Sequence, residues 1–188
     1  MPDPLHPDPV HSDPVDEELT VKLANLNDPA IMDEVVELNV ALQTEGWERH
    51  QMSQTPDHVA RLRNMLPTLL RRNPMIWVFV ARKQQQPVGV LISDKRLSTY
   101  RLAYTLHLED LWVHPEHRRQ GIGEALVQTA IRYATNNEMA RVTLTTQLSN
   151  LGARRLYDKL GFAKAMPLIT CDEGYDPADV TIWIQLDL

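Results

Sequence analysis

The chain has 188 residues, a formal net charge of −6 and a single cysteine. That length suits one domain with a sizeable core, and one cysteine excludes an internal disulfide. The longest apolar runs, such as Met75 to Ala81, fall well short of the roughly 20 residues that a membrane-spanning helix needs, and no signal-peptide pattern opens the chain; a cytoplasmic protein with no membrane partner is expected.

The charge is unevenly placed. Asp3, Asp8, Asp13, Asp16, Glu17 and Glu18 stand in the first eighteen positions with no Lys or Arg, so the remainder balances at 19 acidic and 19 basic residues. A neutral body does not read as a nucleic-acid binder. Asp28 to His58 is acid-rich and Arg61 to Arg101 is base-rich. Such runs suit solvated helix faces, and the acidic one would also favour a cationic acceptor. Residues 1–18 (MPDPLHPDPVHSDPVDEE) are crowded with proline and poor in apolar groups, which predicts a disordered tail before a domain spanning 19–188.

Leu19, Val21 and Leu23 alternate as in a strand. Asn27 or Asp28 can cap a helix with Pro29 at its start, and Ile31, Val35, Leu38 and Leu42 give its buried stripe, with Gly46 ending it. A second helix opens at Thr55–Pro56 and carries Val59, Leu62, Leu66 and Leu69; Pro67 should kink or split it. Strands follow at Ile76–Ala81, Val88–Ile92 and, after a turn near Asp94–Ser98, Leu102–Val113. Gly121–Asn137 reads as a helix, Arg141–Thr145 as a strand and Asn150–Leu160 as a helix closed by Gly161. Phe162–Thr170 and Val180–Leu188 are the last strands. The order β-α-α-β-β-β-α-β-α-β-β implies an α/β domain with a mixed, mostly antiparallel sheet of about seven strands and about four helices.

The stretch LHLEDLWVHPEHRRQGIGEALVQTAIRYA joins a strand, a short loop and a helix opened by R-x-x-G-x-G, here Arg118, Gly121 and Gly123. Glycines let the backbone approach a ligand closely, and free N–H groups at a helix start attract a pyrophosphate. No Walker Gly-Lys-Ser/Thr follows, and the third glycine of a dinucleotide fingerprint is missing. On spacing alone, an ordinary tight turn would also fit.

This segment, with Val113-His114-Pro115 before it, resembles the cofactor motif R/Q-x-x-G-x-G/A of GNAT superfamily N-acetyltransferases. Downstream, NLGARRLYDKLGF resembles the family's N-x-x-A-x-x-x-Y-x-x-x-G-F, matched by Asn150, Ala153, Tyr157, Gly161 and Phe162. The resemblance implies a GNAT fold and an acetyl-CoA-dependent enzyme. It implies that the amides of Arg119, Gln120, Gly121, Ile122, Gly123 and Glu124 hold the pyrophosphate, with Arg118 nearby. Leu111, Trp112 and Val113 would run along the pantetheine arm, Asn150 would bond to it, and the Val113 amide would polarise the thioester carbonyl. Tyr157 would protonate the leaving thiolate; as a plain aromatic it would only pack on the sheet. L-E-D in LHLEDLWV is similar to diamine acetyltransferases, where the glutamate assists deprotonation, which points to Glu109. Glu109 and Asp110 are adjacent, so only one should face the acceptor unless a bulge intervenes.

Trp47 and Glu48, beside Glu45 and His50, lie where this family builds its acceptor site. His107, His114 and His117 lack metal-ligand spacing, no metal is expected, and Cys171 has no evident catalytic partner. The expected reaction is direct attack of a small-molecule amine on acetyl-CoA in a ternary complex. A protein N-terminal or lysine acetyltransferase is the enzyme alternative, and a non-catalytic acyl-CoA-binding module the alternative of another class. By resemblance, the apolar final strand TIWIQLDL could pair in a homodimer.

Overall fold

Two runs, IWVFVA and VGVLI, are apolar at every position rather than at every second one, which marks strands covered on both faces. They become two neighbouring interior strands of the sheet in a computed structural model, which describes residues 19–49, 56–167 and 181–188. The elements are β1 (Leu19–Leu23), α1 (Pro29–Arg49), α2 (Pro56–Arg72), β2 (Ile76–Lys83), β3 (Gln86–Ser98), β4 (Ala103–Val113), α3 (Ile122–Asn136), β5 (Arg141–Gln147), α4 (Leu151–Lys159), β6 (Ala163–Pro167) and β7 (Thr181–Asp187). A single 3₁₀ turn, Pro115–His117, lies between β4 and α3. Among the described residues seven strands form one sheet in the order β1-β2-β3-β4-β5-β7-β6. Only β4 and β5 pair in parallel; the other neighbours are antiparallel. The expected α/β class, element order and mixed sheet are therefore present.

Alternation along β2 divides the core. Phe79 and Ala81 join Leu91, Leu106, Leu108 and the inner faces of α3 and α4. Val78 and Val80 join Val90, Ile92, Trp112 and the inner face of α1. One side of the sheet thus belongs to α1 and α2, the other to α3 and α4.

Several boundaries differ from the sequence expectation. α1 does not stop at Gly46 but runs to Arg49, so Glu45, Trp47 and Glu48 lie in helix rather than in a loop. α2 continues through Pro67 as one element, so Pro67 does not split it; among its described side chains only Leu70 is fully buried, which leaves the carbonyls of that stretch near water. The turn expected at Asp94–Ser98 is strand, because Asp94 to Ser98 pair residue by residue with His107 to Ala103. Cross-strand pairing outweighs their polar character there. Asp28, not Asn27, caps α1, accepting from the Ala30 amide at 2.9 Å. The expectations for residues 1–18, for His50 and for Cys171 fall outside the described residues.

Candidate active site

β4 and β5 pair only from Thr105 to Leu108 against Arg141 to Leu144, yet β4 continues to Val113 and β5 to Gln147. The sheet therefore opens between them. A cleft of about 890 Å³ occupies the opening. Leu111, Trp112, Val113, Arg118, Arg119, Gly121, Ile122, Gly123, Glu124 and Asn150 line it, which brings together ten of the expected cofactor residues. Gln120 and Tyr157 do not line it. Gln120 instead accepts from Lys83 Nζ at 3.1 Å and donates to the Glu116 carbonyl at 3.2 Å, tying the loop to the β2–β3 turn.

The backbone of β4 supplies polar groups to this cleft. The His114 amide donates to the Val88 carbonyl at 2.9 Å, so these two form a hydrogen-bonded pair across β3 and β4. In an antiparallel ladder the next pair, Gly89 and Val113, then turns its N–H and C=O groups outward. Outward from β4 at this point is the open edge, where β5 has ceased to pair. Leu111, opposite Leu91, has the same parity. Arg118 Nε occupies the Val113 carbonyl at 2.9 Å, leaving the Val113 N–H as a donor facing the gap.

The loop below curls through left-handed backbone at Arg119 (φ 62°) and Gly121 (φ 80°). Gly121 is the N-cap of α3 and gives it no side-chain cap, so the first-turn amides remain for an anion. A Cβ built on Gly121 would meet nothing within 4 Å, which places open space where the phosphates of a ligand would lie. Gly89 is a different case. A Cβ there would come to 3.0 Å from the Trp112 carbonyl and 3.2 Å from Leu126 Cδ1, so its absence lets α3 settle onto the sheet behind the loop.

Arg118 is committed to protein: besides Val113 it binds Glu45, whose Oε2 also accepts from Trp112 Nε1 at 2.8 Å. Arg119 and Arg155 line the cleft with no acidic partner among the described residues. Arg155 is a site residue that sequence reasoning passed over; its place in the second motif, facing the glycine loop, was the available signal. Asn150 caps α4, its Oδ1 accepting from the Ala153 amide at 3.2 Å.

On the α1/α2 side, Glu109 lines a smaller cavity of about 270 Å³ with Asn73, Ile76, Ile92, Ser93, Asp94 and Arg96. Arg96 bridges Asp94 (2.8 Å) and Glu109 (3.2 Å). His107 is buried beneath, with Nδ1 3.0 Å from Thr143 Oγ1, its ring stacked on Trp183 and Nε2 3.6 Å from Glu109. Burial, and secondarily Arg96, lower the His107 pKa, which favours the neutral ring. Asp110 differs from its neighbour. It has no hydrogen bond or ion pair among the described residues, and burial, with the Glu109 charge second, raises its pKa.

Tyr157 is buried against Phe162, with ring centroids 5.6 Å apart, and burial pushes its pKa up to about 12. Glu48 is exposed on the last turns of α1, where Trp47 also lies. His107, His114 and His117 do not assemble a metal site, and no group of metal-binding side chains occurs among the described residues.

A split parallel pair, an unpaired strand edge and an uncapped glycine turn thus meet in one cleft, with backbone donors along its wall and at its floor. The sequence model of the acetyltransferase (GNAT) family matches residues 32–162, and the chain belongs to that family. It is 35% identical over 107 residues to N-acetyltransferase 8 of Homo sapiens, covering 55% of this chain and 44% of that one. It is 29% identical over 110 residues to N-alpha-acetyltransferase 30 of Xenopus laevis, covering 57% and 39%. The chain spans half or less of the length of these curated relatives. In fold it is similar to a chain of the NatC complex bound to Gag peptide and CoA, with a TM-score of 0.63 at 18% identity, covering 91% and 99%.

Proposed function

We propose that this chain transfers an acetyl group from acetyl-CoA to the primary amine of a small molecule. The observation that carries the reading is the Val113 N–H, aimed from an unpaired strand edge into the cleft above the glycine turn. The residues fit the group: the amides from Arg119 to Glu124 would hold the pyrophosphate, with Arg119 and Arg155 adding positive charge. Leu111 would bond to the pantetheine arm through its outward backbone groups, and Asn150, through its side-chain amide, would add a donor.

Acetyl-CoA, when bound, supplies the acetyl group as a thioester. Attack by a neutral amine forms the C–N bond and expels the thiolate. In place of the expected Glu109, Asp110 takes the proton that the ammonium must lose: it lies opposite Ile92, which lines the cavity beside Glu109, no ion pair holds it among the described residues, and burial raises its pKa, which strengthens it as a base. Glu109, held by Arg96, adds negative charge that favours a cationic acceptor. The Val113 N–H stabilises charge on the carbonyl oxygen. Tyr157 returns a proton to the thiolate. No acetylated side chain is needed, and positioning does most of the work.

The modest cavity beside Glu109 supports a small acceptor. A protein α-amine is the second reading, favoured by the similarity to N-alpha-acetyltransferase 30. Thiol release from acetyl-CoA, measured across a panel of small amines and short peptides, tests both. Turnover with small amines and none with peptides is expected. Turnover confined to peptides overturns the small-molecule reading, and silence with every amine overturns the enzyme.

A further inference from the structure

A strand that has lost its neighbour on one side should be loose there. The end of β4 is such a strand, and it carries the one donor the reaction most needs. Three contacts restrain it. Arg118 Nε caps the Val113 carbonyl on the open edge at 2.9 Å. Glu45 Oε2 accepts from the buried Trp112 ring at 2.8 Å. The same oxygen receives the Arg118 guanidinium. Glu45 comes from the far end of α1, 67 residues before Trp112 and 73 before Arg118. The Glu45 side chain is 24% exposed and that of Arg118 41%, so the carboxylate end of the pair is the shielded one.

We propose that Glu45 is a positioning residue for acetyl transfer, acting through Arg118 and Trp112 to hold the Val113 N–H in line with the thioester carbonyl. Arg118 thereby serves as a strap between α1 and β4, and the phosphates are left to the backbone amides, Arg119 and Arg155. This rests on the reading of Val113 as the carbonyl's donor. The strap acts on the chemical step rather than on affinity, because the phosphate-binding turn begins beyond it.

Glu45→Gln keeps an acceptor for Trp112 and removes the charge that holds Arg118. The expected result is a kcat lower by about tenfold, since small misplacement at a reacting centre is costly, with the Kd for CoA by calorimetry within about twofold. Arg118→Lys should match it, and the double variant should be no worse than either single. An unchanged kcat with a weakened CoA Kd would overturn the proposal, as would a tighter CoA Kd, which would make Glu45 a competitor of the phosphates. Hydrogen exchange separates this idea from the enzyme assignment. Glu45→Gln should speed exchange at Trp112 to His114 whether or not any amine turns over, and unchanged exchange there sinks the strap.

Discussion

Ile92 lies opposite Asp110 across β3 and β4, yet Ser93, the next residue, lies opposite Leu108, so Glu109 has no partner of its own. Leu108 and Leu111 both pack on the α3/α4 side, three residues apart rather than two or four. The extra residue is a β-bulge, and it turns Glu109 and Asp110 toward the same side, that of α1 and α2. Strict alternation would have sent one of them into the opposite core.

The two carboxylates should therefore separate by function. Asp110→Asn should lower kcat by about 10²-fold or more at neutral pH, as removal of a general base does. The deficit should shrink at high pH, where more acceptor is already neutral. Glu109→Gln should cost less and mainly raise the acceptor KM. A larger kcat loss in Glu109→Gln would transfer the base role to Glu109.

Asp110 should also reveal itself in stability. Its raised pKa means that the folded chain resists its ionisation. Its favourable contribution is whole below the unfolded carboxylate value, about pH 4, and is lost as pH rises through the folded value. Asp110→Asn should consequently melt above wild type at pH 7 and converge with it below about pH 4. A variant that melts lower at pH 7 would mean that Asp110 holds a stabilising partner.

Much of this is legible in the sequence. Element order, the glycine turn and the second motif could be read because helix periodicity, capping residues and apolar runs are local signals. A bulge beside Glu109 and Asp110 was allowed for but could not be read as present, because register depends on which residues face each other across strands. Nor could the Glu45–Arg118 pair, whose partners are distant in sequence. The polar run Asp94–Ser98 looked like a turn and is strand, its pairing with β4 being invisible to composition. Gly89 falls within the expected strand Val88–Ile92, but its tight contact with Trp112 and Leu126 exists only once β4 and α3 are packed beside it.

Gly89→Ala tests that packing. The added methyl meets backbone, the Trp112 carbonyl at 3.0 Å, which cannot swing aside as a side chain can. Overpacking of this kind costs about 1–3 kcal/mol, which for a domain of this size lowers Tm by roughly 2–10 °C. Acetyl-CoA affinity should fall with it, because Leu126 and Ile122 carry the first turns of α3. Thermal melts with and without CoA check both; an unchanged Tm would show that β3 and β4 have slack here.

Gly121→Val tests the phosphate turn. Its φ of 80° is disfavoured for a β-branched residue, while the open space around it spares the fold a clash. The expected stability loss is about 1–2 kcal/mol, and CoA binding by calorimetry should be abolished. A folded variant with normal CoA affinity would remove the phosphates from this turn.

Tyr157→Phe addresses the proton returned to the thiolate. The ring packs on Phe162 in the core, so the substitution keeps the packing and deletes one hydroxyl. Tm should barely move. If the hydroxyl protonates the thiolate, kcat should fall by about 10²-fold with acetyl-CoA affinity nearly unchanged. With its pKa at about 12, Tyr157 keeps its proton across the working range. It should therefore add no alkaline limb to the wild-type rate below about pH 11. A limb near pH 9 would belong to another group. Tyr157 does not line the cleft, so the decisive measurement is a single turnover, which excludes product release as the slow step. A Tyr157→Phe enzyme with a normal single-turnover rate would make Tyr157 a core aromatic and leave water as the proton donor.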